Sequence, residues 1–359
     1  MKMKKEGIVY RSEGQPFRYQ GWPTVIRDED GNLYAACSGY RSAHICPMGK
    51  NLLFISRDGG ERWSCPIVIN DTWFDDRDAG LTYLGNGRMI MTYFHNEASL
   101  YTGRWREGIL RESDPTAIGA VEAILDSYPI LPEAESGEGA FIKISDNYGL
   151  NWSEAIEVPI SSPHGPTFTA SGRLIYLGRT MGNVEKRIDL YESFDNGEHW
   201  EYVSTVPRLP EGDIGVPYEP HIVELADGTL VGAIRIEKIE PGKPKELTIY
   251  MTYSTDGGKT FTVPKPTGIN GTPPHLLLLS DGRLLMSYGR REAPCGSRAR
   301  ISEDGGVTFG DEFILSESPD YDIGYPSTVE LDDGTLLTVH YQRYGDDDKT
   351  SILYTKWKI

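Results

Sequence analysis

The chain has 359 residues, of which 38% are hydrophobic and 40 are glycine, a composition typical of a folded, turn-rich, mostly β protein and not of a disordered one. Its formal net charge of −17 repels phosphate backbones and anionic membrane surfaces, which argues against nucleic acid or a membrane as a partner. No run of about 18 apolar residues occurs, which excludes a membrane-spanning helix.

The cysteines and the N-terminal segment bear on the compartment. The four cysteines are irregularly spaced and form no Cys-x-x-Cys pair, so they predict neither a disulfide framework nor a zinc site. Residues 1–20 carry positive charge but lack the apolar core of a signal peptide. We therefore expect a cytoplasmic protein, although a chain from which a leader has been trimmed would begin in the same way.

Short β-type segments recur along the whole chain. The first is GIVYR, residues 7–11. Six predicted β-hairpins follow, each with an apolar run, a glycine-containing turn and a second apolar run. They span residues 24–38, 81–94, 167–179, 221–235, 275–289 and 327–341, and their turn glycines are Gly31, Gly87, Gly172, Gly228, Gly282 and Gly334.

A second motif, Ser-x-Asp-x-Gly-x-x-Trp/Phe, occurs after five of the hairpins. Its copies occupy residues 56–63, 145–152, 193–200, 254–261 and 302–309. The Asp can accept hydrogen bonds from nearby backbone N–H groups, and the Gly supplies positive φ. A calcium loop would need more carboxylates in each copy. We therefore predict a structural turn.

The two motifs together predict the fold. Six hairpins, each but the last followed by a strand and a turn, give six four-stranded blades, so we expect an all-β, six-bladed β-propeller. Because blades bury their faces against one another, residues 1–359 are expected to form a single domain. Residues 7–11 are expected to supply the outer strand that closes the ring beside residues 350–358.

An insertion is predicted in blade two, where the interval between turn glycines is longest. It covers residues 95–140, and residues 113–128 within it are predicted as a short helix. Ser113 or Asp114 would cap this helix, and Pro115 fits its first turn. The insertion can be a wall of a site or a packing or dimer contact, and the sequence does not choose between these.

The repeat also predicts which residues meet. In a propeller the first strand of each blade lines the central axis, so equivalent residues near its start crowd one mouth. Nine residues before the turn glycines lie Trp22, Asp78, Pro163, Glu219, Pro273 and Tyr325. Near the same mouth we expect His164, His221, His275, Arg179, Arg235 and Arg290. Ionisable residues gathered in a cleft indicate a functional site, with a polar plug of the channel as the alternative.

The Ser-x-Asp-x-Gly motif resembles the Asp-box of sialidases, and two further segments resemble sialidase sites. Residues 219–235 carry Glu and Arg at the sialidase spacing in blade four, and residues 325–334 open blade six with Tyr. The chain is thus identified as a member of the sialidase-like superfamily. This resemblance implies Tyr325 as nucleophile, Glu219 as the base that activates it, and Arg235 as one of three arginines that clamp a carboxylate.

Other positions depart from the sialidase pattern. Gly21 takes the place of the first clamp arginine, and Arg18 is displaced from it. The third arginine could be Arg290, Arg291 or Arg298. The blade-one loop, residues 38–51, contains no carboxylate where sialidases have their acid/base Asp, although Arg41 fits a place where they have Arg. The motifs CSGxR, CPxGK, DDRDAG and GYPS resemble a subgroup of sialidase-like proteins in which sialidase activity is not implied.

A replacement for the missing acid can come from two places. Residues 72–80 place three carboxylates at the mouth, those of Asp75, Asp76 and Asp78. His44 is the other candidate, because histidine titrates near neutrality. Arg77 in the same run can bind substrate or pair within a structural knot.

These features favour an exo-acting glycoside hydrolase that removes a terminal acidic sugar, since arginines in an acidic chain favour an anionic ligand. The expected catalytic residues are Tyr325, Glu219, Asp78, His44 and Asp76. The expected substrate-binding residues are Arg18, Arg41, Arg77, Arg179, Arg235, Arg290, His164, His221 and His275. The alternatives are a polysaccharide lyase or other non-sialidase enzyme, and a non-catalytic glycan-binding propeller. Three histidines could also ligate zinc, but sialidase-like chemistry needs no metal and no cofactor is expected.

Overall fold

The fold is an all-β propeller of six sheets arranged as blades. The structure is a computed structural model that describes residues 2–130, 137–182 and 184–359, so residues 131–136 of the predicted insertion lie outside the described residues. Every strand pairing within the sheets is antiparallel, and each blade begins with its inner strand. The predicted six-bladed propeller with four-stranded blades is confirmed.

The strands follow one another blade by blade, except that β1 (Met3–Tyr10) belongs to the last sheet. Blade one consists of β2 (Tyr19–Arg27), β3 (Leu33–Arg41), β4 (Lys50–Ser56) and β5 (Ile67–Asn70). Blade two consists of β6 (Arg77–Gly85), β7 (Arg88–His95), β8 (Gly139–Ser145) and β9 (Ile156–Val158). Blade three consists of β10 (Ile160–Ser161), β11 (Thr167–Phe168), β12 (Leu174–Thr180), β13 (Ile188–Ser193) and β14 (Glu201–Thr205).

The inner strand of blade three is interrupted, since both β10 and β11 pair with β12. Blade four consists of β15 (Val216–Glu224), β16 (Leu230–Lys238), β17 (Glu246–Ser254) and β18 (Lys265–Asn270). Blade five consists of β19 (Pro274–Leu278), β20 (Leu284–Arg290), β21 (Gly296–Ser302) and β22 (Phe313–Ile314). Blade six consists of β23 (Gly324–Glu330), β24 (Leu336–Arg343) and β25 (Thr350–Lys358), together with β1.

The ring closes where β1 pairs with β25, from Met3 opposite Lys358 to Ile8 opposite Leu353. This is the pairing expected for residues 7–11, although the strand begins earlier and ends at Tyr10. Between blades six and one, apolar side chains of both sheets pack together, among them Trp22, Val25 and Leu337. The first and last blades thus pack through an apolar cluster, as the neighbouring blades elsewhere in the ring do.

Glycines and short polar side chains shape the turns at the end of the propeller opposite the mouth. All six hairpin glycines have positive φ, between 72° and 87°, as the turn prediction requires. In the fourth Asp-box turn, the Ser254 hydroxyl donates to Asp256 at 2.8 Å and accepts from the Gly258 N–H at 2.9 Å. The Asp256 carboxylate accepts from the Thr260 N–H at 3.0 Å. The motif therefore satisfies its own polar groups.

The insertion lies between β7 and β8, as expected, and its described residues form three short α-helices: α1 (Ala98–Thr102), α2 (Arg106–Glu112) and α3 (Ile118–Ser127). The predicted helix is too long at its start, because the Asp114 carboxylate accepts from the Thr116 N–H at 2.9 Å and closes a turn before α3. Helices α1 and α2 were not predicted, because segments of 5 and 7 residues are too short to show a helical periodicity in the sequence.

The insertion helices pack on the blade-one loop and on Phe74, with Val121 and Leu125 buried. None of the helices in the described ranges is both long and apolar enough to cross a membrane.

Candidate functional site

A repeated β-bulge forms the mouth of the propeller. The inner strands of blades one, two, four and six each shift register near their start. One residue in each bulge has a left-handed backbone: Trp22 (φ 54°), Asp78 (52°), Glu219 (35°) and Tyr325 (50°). Such conformations cost non-glycine residues about 1 kcal/mol or more and tend to cluster at functional sites. These four are the non-proline members of the set nine residues before the turn glycines.

The closest contact among them joins blades four and six. The Tyr325 hydroxyl donates to Glu219 Oε1 at 2.7 Å, and Arg235 Nη1 bonds Glu219 Oε2 and lies 3.4 Å from the Tyr325 oxygen. Arg235 also pairs with Glu237. Burial, together with the charges of Glu219 and Asp78, raises the pKa of Tyr325 well above its usual value. The phenol therefore keeps its proton until a base removes it, and Glu219 is in contact to do so.

Asp78 reaches the same centre from blade two. Its side chain is buried, and burial followed by the charge of Glu219 raises its pKa to about 7, with Arg77, Arg41 and Arg235 only partly offsetting this. A carboxyl in this state is partly protonated at neutral pH. Asp78 can therefore donate a proton to a reacting group.

Two arginines near the pair have no carboxylate within salt-bridge distance in the described part of the chain. The Arg291 guanidinium lies 5.7 Å from the Tyr325 ring centre, and its Nη2 donates to the Tyr341 hydroxyl at 3.4 Å. The Arg179 guanidinium lies 4.3 Å from the ring centre of Tyr218. Cations left without carboxylate partners in an acidic protein are suited to hold an anionic ligand.

Arg290 does not join this group. Its side chain faces Glu312, with Nη1 3.5 Å from a carboxylate oxygen. Arg298 is buried and lies 3.3 Å from the same carboxylate. Of the three candidates for the third clamp arginine, Arg291 is therefore the one that lies over Tyr325.

Blade one supplies a knot of aromatic and charged side chains. The guanidinium groups of Arg41 and Arg77 lie 4.6 Å and 4.1 Å from the ring centre of Trp22. Both pair with Asp75, which is fully buried with Arg41. Both also donate to the His44 carbonyl, at 2.8 Å and 3.1 Å. These arginines thus fix the loop that carries His44.

His44 opens onto a cleft beside the mouth. The cleft has a volume of about 560 Å³, and its walls include Tyr19, His44, Arg291 and Asp322. His44 Nδ1 lies 3.1 Å from Asp322 Oδ1 and 2.8 Å from the Tyr19 hydroxyl. The side chain of His44 is 39% exposed, so a ligand in the cleft can reach it.

The three axial histidines form a layer beneath the mouth. Their ring centres are 4.7 to 5.6 Å apart, and burial lowers the pKa of each. His221 Nδ1 accepts from the Leu276 N–H at 2.9 Å, and His164 Nδ1 lies 3.2 Å from the Thr24 hydroxyl. Within the described ranges, no three His, Cys, Asp or Glu side chains are grouped to hold a metal ion. His164, His221 and His275 thus lie together as neutral rings.

Besides Arg290, two further predicted site residues lie away from the mouth centre. Arg18 pairs at the rim with Asp114 at 2.7 Å and Asp348 at 2.9 Å. Asp76 is buried and accepts from the backbone and hydroxyl of Thr72 at 2.9 Å and 2.8 Å, so it closes its own turn. Burial raises the pKa of Asp76 to about 7, but its partners are local.

Asp322 and Tyr19 are not among the residues predicted from the sequence, where Arg291 is one of three candidates for the third clamp arginine and Arg290 is the one expected to bind substrate. Asp322 accepts from the hydroxyls of Tyr19 and Tyr341, at 3.0 Å and 3.2 Å. Strand alternation could have pointed to Arg291, because residues two apart share a face and Gly289 holds the register position. Nothing in the repeat signals Asp322, which lies before β23.

Residues 132–339 match the family described as the BNR repeat-like domain. No curated protein matches the chain. Among solved structures, a protein of unknown function from Dyadobacter fermentans is 21% identical with a TM-score of 0.78, and each chain is covered completely. The NanB sialidase of Streptococcus pneumoniae is 14% identical (TM-score 0.69), with 98% of this chain and 70% of that one covered. The α-L-arabinofuranosidase Arb93A of Fusarium graminearum is 12% identical (TM-score 0.65), with 98% and 97% covered.

Proposed function

The chain belongs to the BNR repeat-like domain family, and on that premise we propose that it is an exo-acting glycoside hydrolase that removes a terminal acidic sugar. The observation that carries the proposal is the 2.7 Å hydrogen bond from Tyr325 to Glu219, bracketed by Arg235. Structural similarity to a sialidase and to an arabinofuranosidase supports glycoside hydrolysis on this fold.

The reaction proceeds in two steps at the anomeric carbon. Tyr325 Oη attacks this carbon while its proton passes to Glu219, and the bond to the leaving oxygen breaks as that oxygen receives a proton. Water then attacks the anomeric carbon and gives a proton to the group that protonated the leaving oxygen, while the bond to Tyr325 breaks and the phenol recovers its proton from Glu219. A nucleophile that is neutral before the step avoids repulsion from an anionic substrate. Asp78 and His44 are the groups at the mouth that can supply the proton for the leaving oxygen.

The proposal that the sugar is acidic is based on the arginine side chains around the mouth. Arg235, Arg291 and Arg179 lie around the mouth, and the last two lack carboxylate partners in the described residues. Guanidinium groups bind a carboxylate through paired N–H donors, so a sugar carboxylate is the group that this arrangement favours.

The test is product release from a panel of chromogenic glycosides that includes sialosides, uronides and neutral sugars. We expect turnover of at least one acidic glycoside, lost in Tyr325→Phe and in Glu219→Gln. Tyr202→Phe, on the outer strand of blade three, is the matched control because its ring is 53% exposed. Turnover of neutral glycosides alone would contradict the acidic-sugar assignment. Turnover that survives in Tyr325→Phe would contradict the nucleophile.

A polysaccharide lyase is the second candidate, and one observation favours it. Packing of the protein around the His44 ring lowers its pKa, so the neutral ring can accept a proton from a carbon beside a carboxylate. Arg291 would neutralise that carboxylate. A lyase product contains a new double bond conjugated with the carboxylate and absorbs ultraviolet light, whereas a hydrolase product does not. Absorbance during digestion of a uronic-acid polysaccharide therefore separates the two.

A further inference from the structure

The cleft beside the mouth contains a proton-transfer pair that the Tyr325–Glu219 chemistry does not use. We propose that His44 is the acid/base for the leaving group, and that Asp322 positions it through Nδ1 while the cleft receives the leaving group. This inference rests on the proposed hydrolase function. It assigns the residue that takes the place of the acidic side chain absent from the blade-one loop.

The hydrogen bonds around His44 fix which ring nitrogen faces the substrate. Asp322 Oδ1 accepts from the Tyr19 and Tyr341 hydroxyls and lies 3.1 Å from His44 Nδ1. Because an ionised carboxylate only accepts, Nδ1 must carry the proton. In the described part of the chain no protein group bonds Nε2. Nε2 is therefore the nitrogen available to exchange a proton with a ligand.

The position of His44 suits the leaving-group side. A leaving group must depart towards solvent, and His44 is 39% exposed on a cleft of about 560 Å³. Asp78, the other candidate, is only 5% exposed and does not line this cleft, so a leaving group in the cleft cannot reach it as readily. The cleft is large enough for a further sugar unit, so the leaving group can itself be a glycan.

The loop that carries His44 is held rigidly, as precise proton transfer requires. Arg41 and Arg77 donate to the His44 carbonyl, and the ring of Trp22 lies edge-on at 5.1 Å. The insertion adds a bond between the hydroxyls of Ser42 and Ser113, with their oxygens 2.9 Å apart. The side chains of Arg41, Arg77 and Trp22 and the insertion therefore hold the loop and the His44 ring in place.

The proton balance closes over the two steps. In the first, the imidazolium gives its Nε2 proton to the leaving oxygen as the bond to the anomeric carbon breaks and Tyr325 bonds to that carbon. In the second, neutral Nε2 takes a proton from the attacking water. The ring ends protonated as it began, and the net reaction is the addition of water across the glycosidic bond.

The pH dependence follows from the groups that face the ring. These groups are Asp322, Tyr19, Arg77 and Arg291. Packing of the ring lowers the pKa of His44 below 6.5, and Asp322 opposes this shift while the two arginines add to it. The imidazolium needed for the first step is therefore depleted as pH rises above that pKa. We expect activity to be highest at acidic pH and to fall towards neutrality.

The experiment compares leaving groups on one acidic sugar. His44→Gln should reduce kcat/KM about 10²-fold to 10⁴-fold for an alkyl glycoside, and much less for a dinitrophenyl glycoside that leaves without a proton. Tyr325→Phe should abolish both. His199→Gln is the matched control, because His199 forms an exposed pair with Asp195 at 2.6 Å in an Asp-box turn.

Asp322→Asn separates positioning from folding. Removing the carboxylate should lower the pKa of His44 further, so the fall in activity should move to lower pH while the dinitrophenyl substrate is still cleaved. An equal loss with both leaving groups in His44→Gln would overturn the role of His44 and leave the hydrolase proposal standing. Failure of the wild type to cleave any glycoside would overturn both.

Discussion

At the end of the propeller opposite the mouth, five Asp-box turns satisfy their backbone N–H groups in the same way. In each turn the glycine N–H donates to the hydroxyl of the serine four residues before it. At the mouth, six equivalent positions carry a tryptophan, two carboxylic acids, two prolines and a tyrosine. Four of these have a strained backbone. Repetition marks the scaffold, and departure from repetition marks the mouth, where the proposed catalytic residues lie.

The largest expected contrast between the two ends is in catalysis. Tyr325→Phe removes the proposed nucleophile and should lower kcat by about 10³-fold or more, because the oxygen that would bond to the anomeric carbon is lost. Far-ultraviolet circular dichroism should remain that of the wild type. Ser302→Ala, in the fifth Asp-box turn, should leave kcat unchanged. Comparable losses in both variants would show that the mouth holds no special chemistry.

The second largest contrast is in the contribution of ion pairs at the two ends to the free energy of unfolding. Arg41→Gln removes the closer cation from the fully buried Asp75 and leaves only Arg77 beside it, so the free energy of unfolding should fall by about 3 kcal/mol, the lower end of the cost of breaking a buried pair. Arg62→Gln at the opposite end breaks an exposed pair with Asp58, which solvent screens, and should lower the free energy of unfolding far less than Arg41→Gln does. Urea denaturation at neutral pH measures both. Similar costs would mean that Asp75 is stabilised by groups other than Arg41.

Carboxylates at the two ends should make the free energy of unfolding change with pH in opposite directions, because burial raises the pKa of Asp78 and hydrogen bonds lower that of Asp256. The folded-state pKa of Asp78 is raised to about 7, so wild-type stability falls as pH rises from about 4 to 7, and Asp78→Asn escapes this penalty. As pH rises from 5 to 8, the free energy of unfolding of Asp78→Asn should therefore increase relative to that of the wild type by on the order of 1 to 3 kcal/mol.

The matched variant at the other end is Asp256→Asn. Hydrogen bonds from the Thr260 hydroxyl and backbone lower the pKa of Asp256 to about 2, so its stabilising charge is lost only as pH falls below about 4. Asp256→Asn should therefore be less stable than wild type by the same amount at pH 5 and pH 8. A pH-dependent difference here would indicate a partner that titrates.

The smallest expected effect is in a single turn. Ser254→Ala removes the hydroxyl that accepts from Gly258 and donates to Asp256, and should lower the free energy of unfolding by about 1 kcal/mol. Activity at saturating substrate should not change. A loss of activity in Ser254→Ala would show that the two ends are coupled through the blades.

The repeat predicted the fold and the bulge residues, because both are set by spacing from the turn glycines. The spacing alone did not choose between neighbouring residues that point to opposite faces, although strand alternation from Gly289 favours Arg291. Arg290 and Arg291 differ by one residue, and the shift moves the guanidinium from Glu312 to Tyr325. Asp322 could not be predicted either, because it lies in a connection and its partners come from blades one and six. The roles of the gathered residues stay predictions until activity is measured.

The pairing of β1 with β25 has a consequence for biosynthesis. Five of the sheets can form from consecutive segments as they leave the ribosome, but the sixth waits until β25 has been made and can meet β1, from which all the other strands separate it. Until then β1 has no partner strand, and its edges are open to pairing with another molecule. A nascent chain stalled before this point would be a target for chaperones, and lengthening the wait would favour aggregation over assembly.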